Sequence, residues 1–291
     1  MIGPVLGVIN IPFDPVWFHL GPLAVHWYGV AYAVAFFVGI RLVLPYGRRH
    51  GYTDHDMSDY LFWTIVLGLV GGRLYFVVQQ PNLGDYLLHP VRILAVWQGG
   101  MAFFGAIISG LATLAYIAWR KGHSLWLVLD GGALFAGVPQ AIGRLGNIVN
   151  GDILGPPSNL SWATAYSSPD TFAPARGVAY QPAGAYELLI ALAIGLGVIW
   201  ALRRNPPRGL TIIVYVAMYA VSQFLIFFIR STEPSILFGL KQAQVTALVV
   251  LLVAVPALIL LWRRFPDVFE RSPDGAPARP QLGSQPAGDN G

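Results

Sequence analysis

Seven stretches of this chain, near residues 24–44, 59–78, 100–119, 125–142, 184–202, 210–229 and 245–262, are runs of Leu, Val, Ile, Ala and Phe with few charges. A helix rises about 1.5 Å per residue, so about 20 such residues cross the ~30 Å hydrocarbon core of a bilayer. Only 11% of the residues are charged and 55% are hydrophobic, against about 25% charged in a soluble domain. No soluble core can hide that much apolar surface. The sequence therefore predicts an all-α, polytopic integral membrane protein of about seven transmembrane helices.

Lys and Arg set the orientation, because cytoplasmic loops retain positive charge. Counting alternate connections, Arg41, Arg48, Arg49, Arg120, Lys121, Arg203, Arg204, Arg208, Arg263, Arg264, Arg271 and Arg279 fall on one side. This places the N-terminus outside and the C-terminus in the cytoplasm. Met1 to Asn10 carries no basic residue and has a proline at position 4, so no signal peptide is expected and the first helix directs insertion. Residues 1–271 read as one membrane domain with an outward-facing loop segment near 143–182. Residues 272–291, rich in Pro, Gly, Gln and Ser, read as a disordered cytoplasmic tail.

Cysteine is absent, which removes disulfides, thiolate metal sites and a cysteine nucleophile. No metal or cofactor is expected. The net charge of +4 is too modest to suggest nucleic acid as a partner. No internal repeat is visible, which argues against a transporter built from symmetric halves.

Ionisable groups at membrane depth need a partner or a function. Arg73, after Gly71-Gly72, is suited either to a site or to snorkelling. Asp130 is suited to capping a helix, and Glu187 to capping or function. Arg230 reads as an interfacial anchor with Glu233 nearby. The densest polar cluster is Gly143-Arg144-Leu145-Gly146-Asn147-Ile148-Val149-Asn150-Gly151-Asp152-Ile153-Leu154-Gly155. Glycines let backbone approach a ligand, and a guanidinium fork fits a phosphate. Carboxamides can orient glycerol oxygens.

This run resembles the signature of the prolipoprotein diacylglyceryl transferases, G-R-x-G-N-F-x-N-x-E followed by a glycine, with Ile148 for the phenylalanine and Asp152 for the glutamate. Pro22-Leu23 with Trp27-Tyr28-Gly29, Gly71-Gly72-Arg73, Trp97-Gln98-Gly99-Gly100-Met101 and Tyr186-Glu187-Leu188 are similar to other parts of the family. The likeness runs from about residue 15 to 265. It implies a multi-pass enzyme of the bacterial cytoplasmic membrane, its active site towards the outer face. There the diacylglyceryl group of phosphatidylglycerol passes to the lipobox cysteine thiol of a preprotein, releasing glycerol phosphate. Phosphatidylglycerol, lipobox preproteins and membrane lipid are the implied partners, without a cofactor.

Mapped residue by residue, the resemblance implies that Arg144 holds the phosphate, Asn147 and Asn150 shape the headgroup site, and Tyr28 lines the cavity. Asp152 takes the acidic position and Gly155 permits a turn. Tyr219, Glu187 and Arg73 complete the implied substrate-binding set. Three positions depart from the family pattern: Phe104 stands where a histidine is usual, and Gln223 and Phe227 where an arginine and a glutamate are usual. Gln181-Pro182-Ala183-Gly184 likewise replaces a histidine-containing turn. All three of Phe104, Gln223 and Phe227 are expected to face one cavity. Two other readings remain: a divergent member that binds lipid headgroups but has lost or changed the transfer chemistry, and a seven-helix transporter or receptor. The last requires a polar stripe towards the cytoplasm, and the polar groups cluster in the outer half instead.

Overall fold

The computed structural model describes residues 7–21, 23–95, 99–230 and 234–264. The tail at 272–291, Trp97-Gln98 and Glu233 lie outside the described residues. The long helices are α1 (Trp27–Arg49), α2 (Asp54–Val78), α5 (Phe103–Lys121), α6 (Leu125–Asn150), α7 (Ala183–Leu202), α8 (Leu210–Ile226) and α9 (Gln242–Arg264). Two short ones, α3 (Leu83–Leu88) and α4 (Val91–Leu94), lie between α2 and α5. Six helices are long and apolar enough to cross a membrane, and α8, at 17 residues, is shorter. The burial pattern is that of a bilayer protein: Asp130 and Gln244 are 2% exposed while Trp119 and Leu252 are 75% and 74% exposed.

The chain is mostly helical but not all-α. Strands β1 (Ile9–Ile11), β4 (Thr164–Tyr166) and β5 (Ala179–Tyr180) form one sheet, β1 parallel and β5 antiparallel to β4. β2 (Val16–Leu20) pairs with β3 (Leu23–His26), and β6 (Ser235–Leu237) with β7 (Leu240–Lys241). These strands have five residues or fewer, too short to leave the alternation by which strands are read. The pairing of residues 23–26 also starts the first helix at Trp27 rather than near 24.

A second correction concerns the loop expected from residue 143. α6 continues to Asn150, so Gly143 to Asn150 is helix. At bilayer depth a helix satisfies its own N–H and C=O groups, which an open loop cannot. Gly143 and Gly146 are tolerated because they lie against Tyr32 and Tyr28 of α1. The helix ends at Gly151, whose φ of +75° is a left-handed C-terminal cap. The segment that follows folds back over this end. Tyr166 donates to the carbonyl of Ile148 at 2.9 Å, and Phe172 N–H to that of Asn150 at 2.9 Å.

Packing pairs α1 with α6, α2 with α5, α6 with α7 and α8 with α9, whereas the sequence neighbours α1 and α2, and α5 and α6, touch sparsely. The α2–α5 hairpin is thus a leaf beside the rest. Asp130 accepts from the N–H groups of Gly209 and Ile212 at 2.7 and 2.8 Å. It caps α8, whose own N-cap is a glycine, in place of its own helix. At the same end, Thr53 and Asp56 form a capping box on α2, and Lys121 pairs with Asp56 and Asp59 at 2.6 and 2.7 Å.

Candidate active site

The last turns of α6, the start of α7 and the end of α8 converge on one buried ion cluster. Arg144 Nη2 lies 2.7 Å from Glu187 Oε2, and Arg230 Nη1 lies 3.5 Å from Glu187 Oε1. The Glu187 side chain is 2% exposed, so in a low-dielectric setting each partner depends on the other. Two guanidinium charges against the Glu187 carboxylate leave one positive charge, which a second carboxylate nearby, Asp152, balances when ionised. The Tyr219 hydroxyl lies within electrostatic reach of Gln140 and Arg144, and Tyr215 donates to Gln140 Oε1 at 3.0 Å. Arg144, Glu187, Tyr219, Ser222 and Gln223 line a cavity of about 10 Å³, about one water in size.

Asn147 carries the cluster towards the end of α6. Its Oδ1 accepts from Arg144 Nη1 at 3.4 Å, and its Nδ2 donates to both oxygens of Asp152 at 3.2 and 3.1 Å. Burial pushes the Asp152 carboxyl above the usual carboxylate range, while the Asn147 amide, Arg144 and Arg230 pull the other way. Tyr28 packs on Tyr32 with ring centroids 4.6 Å apart and lies within electrostatic reach of Asp152 and Arg144. Asn150 is buried; its carbonyl accepts from Phe172 and Thr171, and its Oδ1 has no partner among the described residues.

Of the residues singled out in sequence, the structure thus gathers Arg144, Asn147, Asn150, Asp152, Tyr28, Tyr219 and Glu187 in one region. Two fall elsewhere in role. A Cβ on Gly155 would sit 2.9 Å from Gln181 Cβ and 3.0 Å from the carbonyl of Ile229, so this glycine is needed for close packing of the segment after α6 on the chain just past α8. Arg73 is buried in a clamp: Nε donates to Ile93 O at 2.8 Å, Nη2 to Arg92 O at 2.6 Å, and Nη1 to Gly99 O and Gly100 O at 2.6 and 2.8 Å. It neither snorkels nor meets the cluster. It binds the α4 region and the turn before α5 onto α2.

The three departures do not face one cavity. Gln223 lines the pocket beside Arg144. Phe227 is buried, its ring centroid 4.4 Å from the Arg230 guanidinium carbon. Phe104 stands on α5, 39% exposed, against Phe103. Sequence reasoning also misplaced Arg230, which is no interfacial anchor but a partner of Glu187. It missed Lys241, whose Nζ donates to the carbonyls of Phe227 and Arg230 and so holds the end of α8. Glu187 and Arg230 are 43 residues apart, and no local spacing announces such a pair.

The sequence pattern of the prolipoprotein diacylglyceryl transferase family matches residues 15–261. The chain is 34% identical to a phosphatidylglycerol–prolipoprotein diacylglyceryl transferase of Bordetella avium, over 78% of this chain and 85% of that relative. It is 30% identical to one of Paraburkholderia phytofirmans, over 88% and 96%. It is 32% identical to one of Bacillus licheniformis, over 87% and 94%. With that extent of likeness, and with the arginine and asparagines of the family signature meeting at the end of one buried helix, the chain belongs to the prolipoprotein diacylglyceryl transferase family.

Proposed function

We propose that this protein transfers the diacylglyceryl group of phosphatidylglycerol to the thiol of a lipobox cysteine in a prolipoprotein. Both substrates appear in the names of its relatives. The observation that carries the chemistry is the Arg144–Glu187–Arg230 cluster, linked through Asn147 to Asp152. Once Asp152 has taken up the thiol proton, the two guanidiniums outnumber the Glu187 carboxylate by one charge, which faces the negative charge of the phosphate. Arg144 turns from Glu187 towards the phosphate and stabilises the charge that leaves with it.

In the transfer, the cysteine sulfur bonds to the glycerol carbon that carries the phosphate. The carbon–oxygen bond breaks, and the leaving oxygen keeps the electron pair as glycerol phosphate. Asp152 accepts the thiol proton, and its raised affinity for protons brings it nearer the thiol's own. Asn147 orients Asp152, Asn150 offers its unpartnered Oδ1 to the glycerol hydroxyls, and Tyr28 and Tyr219 wall the site.

In this reading α8 completes seven spans with the turn up to Arg230. The N-terminus and residues 151–182 face outward from a bacterial cytoplasmic membrane, and residues 1–271 form one membrane domain with a cytoplasmic tail at 272–291. The distribution of Lys and Arg supports that orientation. Lipid binding without transfer is the second reading, and the apolar ring of Phe104 at the family's histidine position favours it. Purified protein, phosphatidylglycerol and a lipobox peptide separate the two. A peptide gaining the mass of a diacylglyceryl group supports transfer; bound phospholipid with unmodified peptide supports the second reading.

A further inference from the structure

At the end of the bundle opposite Arg144, the α1–α6 pair and the α2–α5 leaf part around an apolar cavity of about 130 Å³. Phe36, Tyr46, Tyr60, Ile65, Leu127 and Phe135 provide most of its wall. It is separate from the ion cluster. Arg144 faces α7 and α8 through Glu187 and Tyr219. Phe135 is nine residues earlier on α6, which at about 100° per residue is the opposite face of the helix. The tail of a lipid held at Arg144 does not lie in this cavity without crossing α6.

Two lining hydroxyls lack partners among the described residues: Tyr52 Oη and Thr64 Oγ1. Tyr52 is 8% exposed, and its ring stacks on His123 with centroids 4.3 Å apart, so the hydroxyl is fixed in place. The neighbouring hydroxyls are satisfied: Tyr46 donates to Leu127 O at 3.2 Å, and Tyr60 pairs with His123 Nδ1 at 3.1 Å. A buried donor without an acceptor is costly and rare. The remaining wall is too apolar to give a water its usual hydrogen bonds. The guest the cavity fits is an apolar chain carrying one acceptor oxygen. Arg208 lies within electrostatic reach of both Tyr52 and Tyr46, which puts a cation at the same end of the bundle as the Tyr52 hydroxyl.

We propose that this cavity binds the ester-proximal part of one acyl chain of an anionic phospholipid from the leaflet opposite the Arg144 cluster, the rest of the chain leaving by the open side. The ester carbonyl accepts from Tyr52, the phosphate faces Arg208, and the chain lies between Leu61 and Phe135. Such a lipid splints two halves of the bundle that otherwise touch sparsely.

Gly132 lines the cavity and has no heavy atom within 4 Å of the position a Cβ would take, so a side chain can start there freely and Gly132→Leu is expected to fill the void. The full-length protein is placed in vesicles containing phosphatidylserine or phosphatidylcholine, each with a photoreactive group near the ester end of one chain, and the labelled peptides are mapped. Phosphatidylserine is expected to label residues 57–65 and 127–135, and more strongly than phosphatidylcholine. Gly132→Leu is expected to abolish that labelling, and Tyr52→Phe, losing one hydrogen bond, to weaken it by about fivefold. Thermal unfolding of the same samples reports on folding, and diacylglyceryl transfer to a lipobox peptide, measured after each variant is reconstituted with phosphatidylglycerol, reports on the separate Arg144 site. Equal labelling of wild type and a folded Gly132→Leu, label confined to other helices, or no preference for the anionic lipid overturns the proposal.

Discussion

Arg73, which is buried, and Arg144, whose side chain is 17% exposed, are both arginines on apolar helices, each preceded closely by glycine, and in sequence both read as candidates for a headgroup. In the structure they differ in what they hold. Arg73 spends four donors on the backbone carbonyls of Ile93, Gly99, Gly100 and Arg92. Arg144 holds side chains, the Glu187 carboxylate and the Asn147 amide, and Glu187 keeps a second guanidinium when Arg144 swings away. A clamp on carbonyls fixes a fold, whereas a cation shared through a carboxylate can change partners and accept an anion.

The largest effect expected from this contrast is at Glu187. Glu187→Gln leaves two buried guanidiniums without their carboxylate, and breaking a buried pair in this way costs about 3–5 kcal/mol. Thermal unfolding in detergent should show that loss; an unchanged Tm would mean the cluster is solvated and the surplus-charge argument fails. Arg73→Ala strands several carbonyls, at about 1–3 kcal/mol for a buried group left without its partner. It should lower Tm while leaving phosphatidylglycerol affinity per folded molecule unchanged. A specific loss of affinity at full stability would return Arg73 to the site.

A smaller effect is expected in the pH profile. Asp152 accepts a proton only when ionised, and its affinity for protons is raised by burial. Transfer should therefore fall as pH drops through a point above the ordinary carboxylate range, and Asp152→Asn should remove that acid limb together with about 10²–10⁴-fold of the rate. An acid limb that survives in Asp152→Asn assigns the proton to another group. The smallest effect concerns the family's missing residues. Since Phe104 stands apart from Gln223 and Phe227, Phe104→His and Gln223→Arg should act independently, their effects on rate adding within about 0.5 kcal/mol in a double-mutant cycle. Strong coupling between them would put α5 and α8 at one site.

Much of this fold is legible because lipid imposes so regular a demand on sequence: the seven long helices coincide with the seven apolar runs, and Gln244 and Asp130 turn inward where Leu252 does not. The short strands were hidden by their length, and the true end of α6 by glycines that suggested a loop but serve close approach to Tyr28 and Tyr32. At the site, the local spacing of Arg144, Asn147 and Asp152 exposed their contact. Glu187 with Arg230, and Lys241 with the end of α8, come from distant helices, and neither partner alone indicates which neighbour it will meet. The Tyr52 hydroxyl was invisible for the opposite reason: a tyrosine in a loop looks ordinary until its neighbours' partners are known.

The contrast between the two arginines is tested most directly by phosphatidylglycerol binding to Arg144→Ala and Arg73→Ala, each confirmed as folded. Loss of a charge-assisted phosphate contact worth about 1.5–3 kcal/mol should weaken binding by about 10- to 150-fold in Arg144→Ala, with Arg73→Ala indistinguishable from wild type. Wild-type affinity in Arg144→Ala would contradict the account.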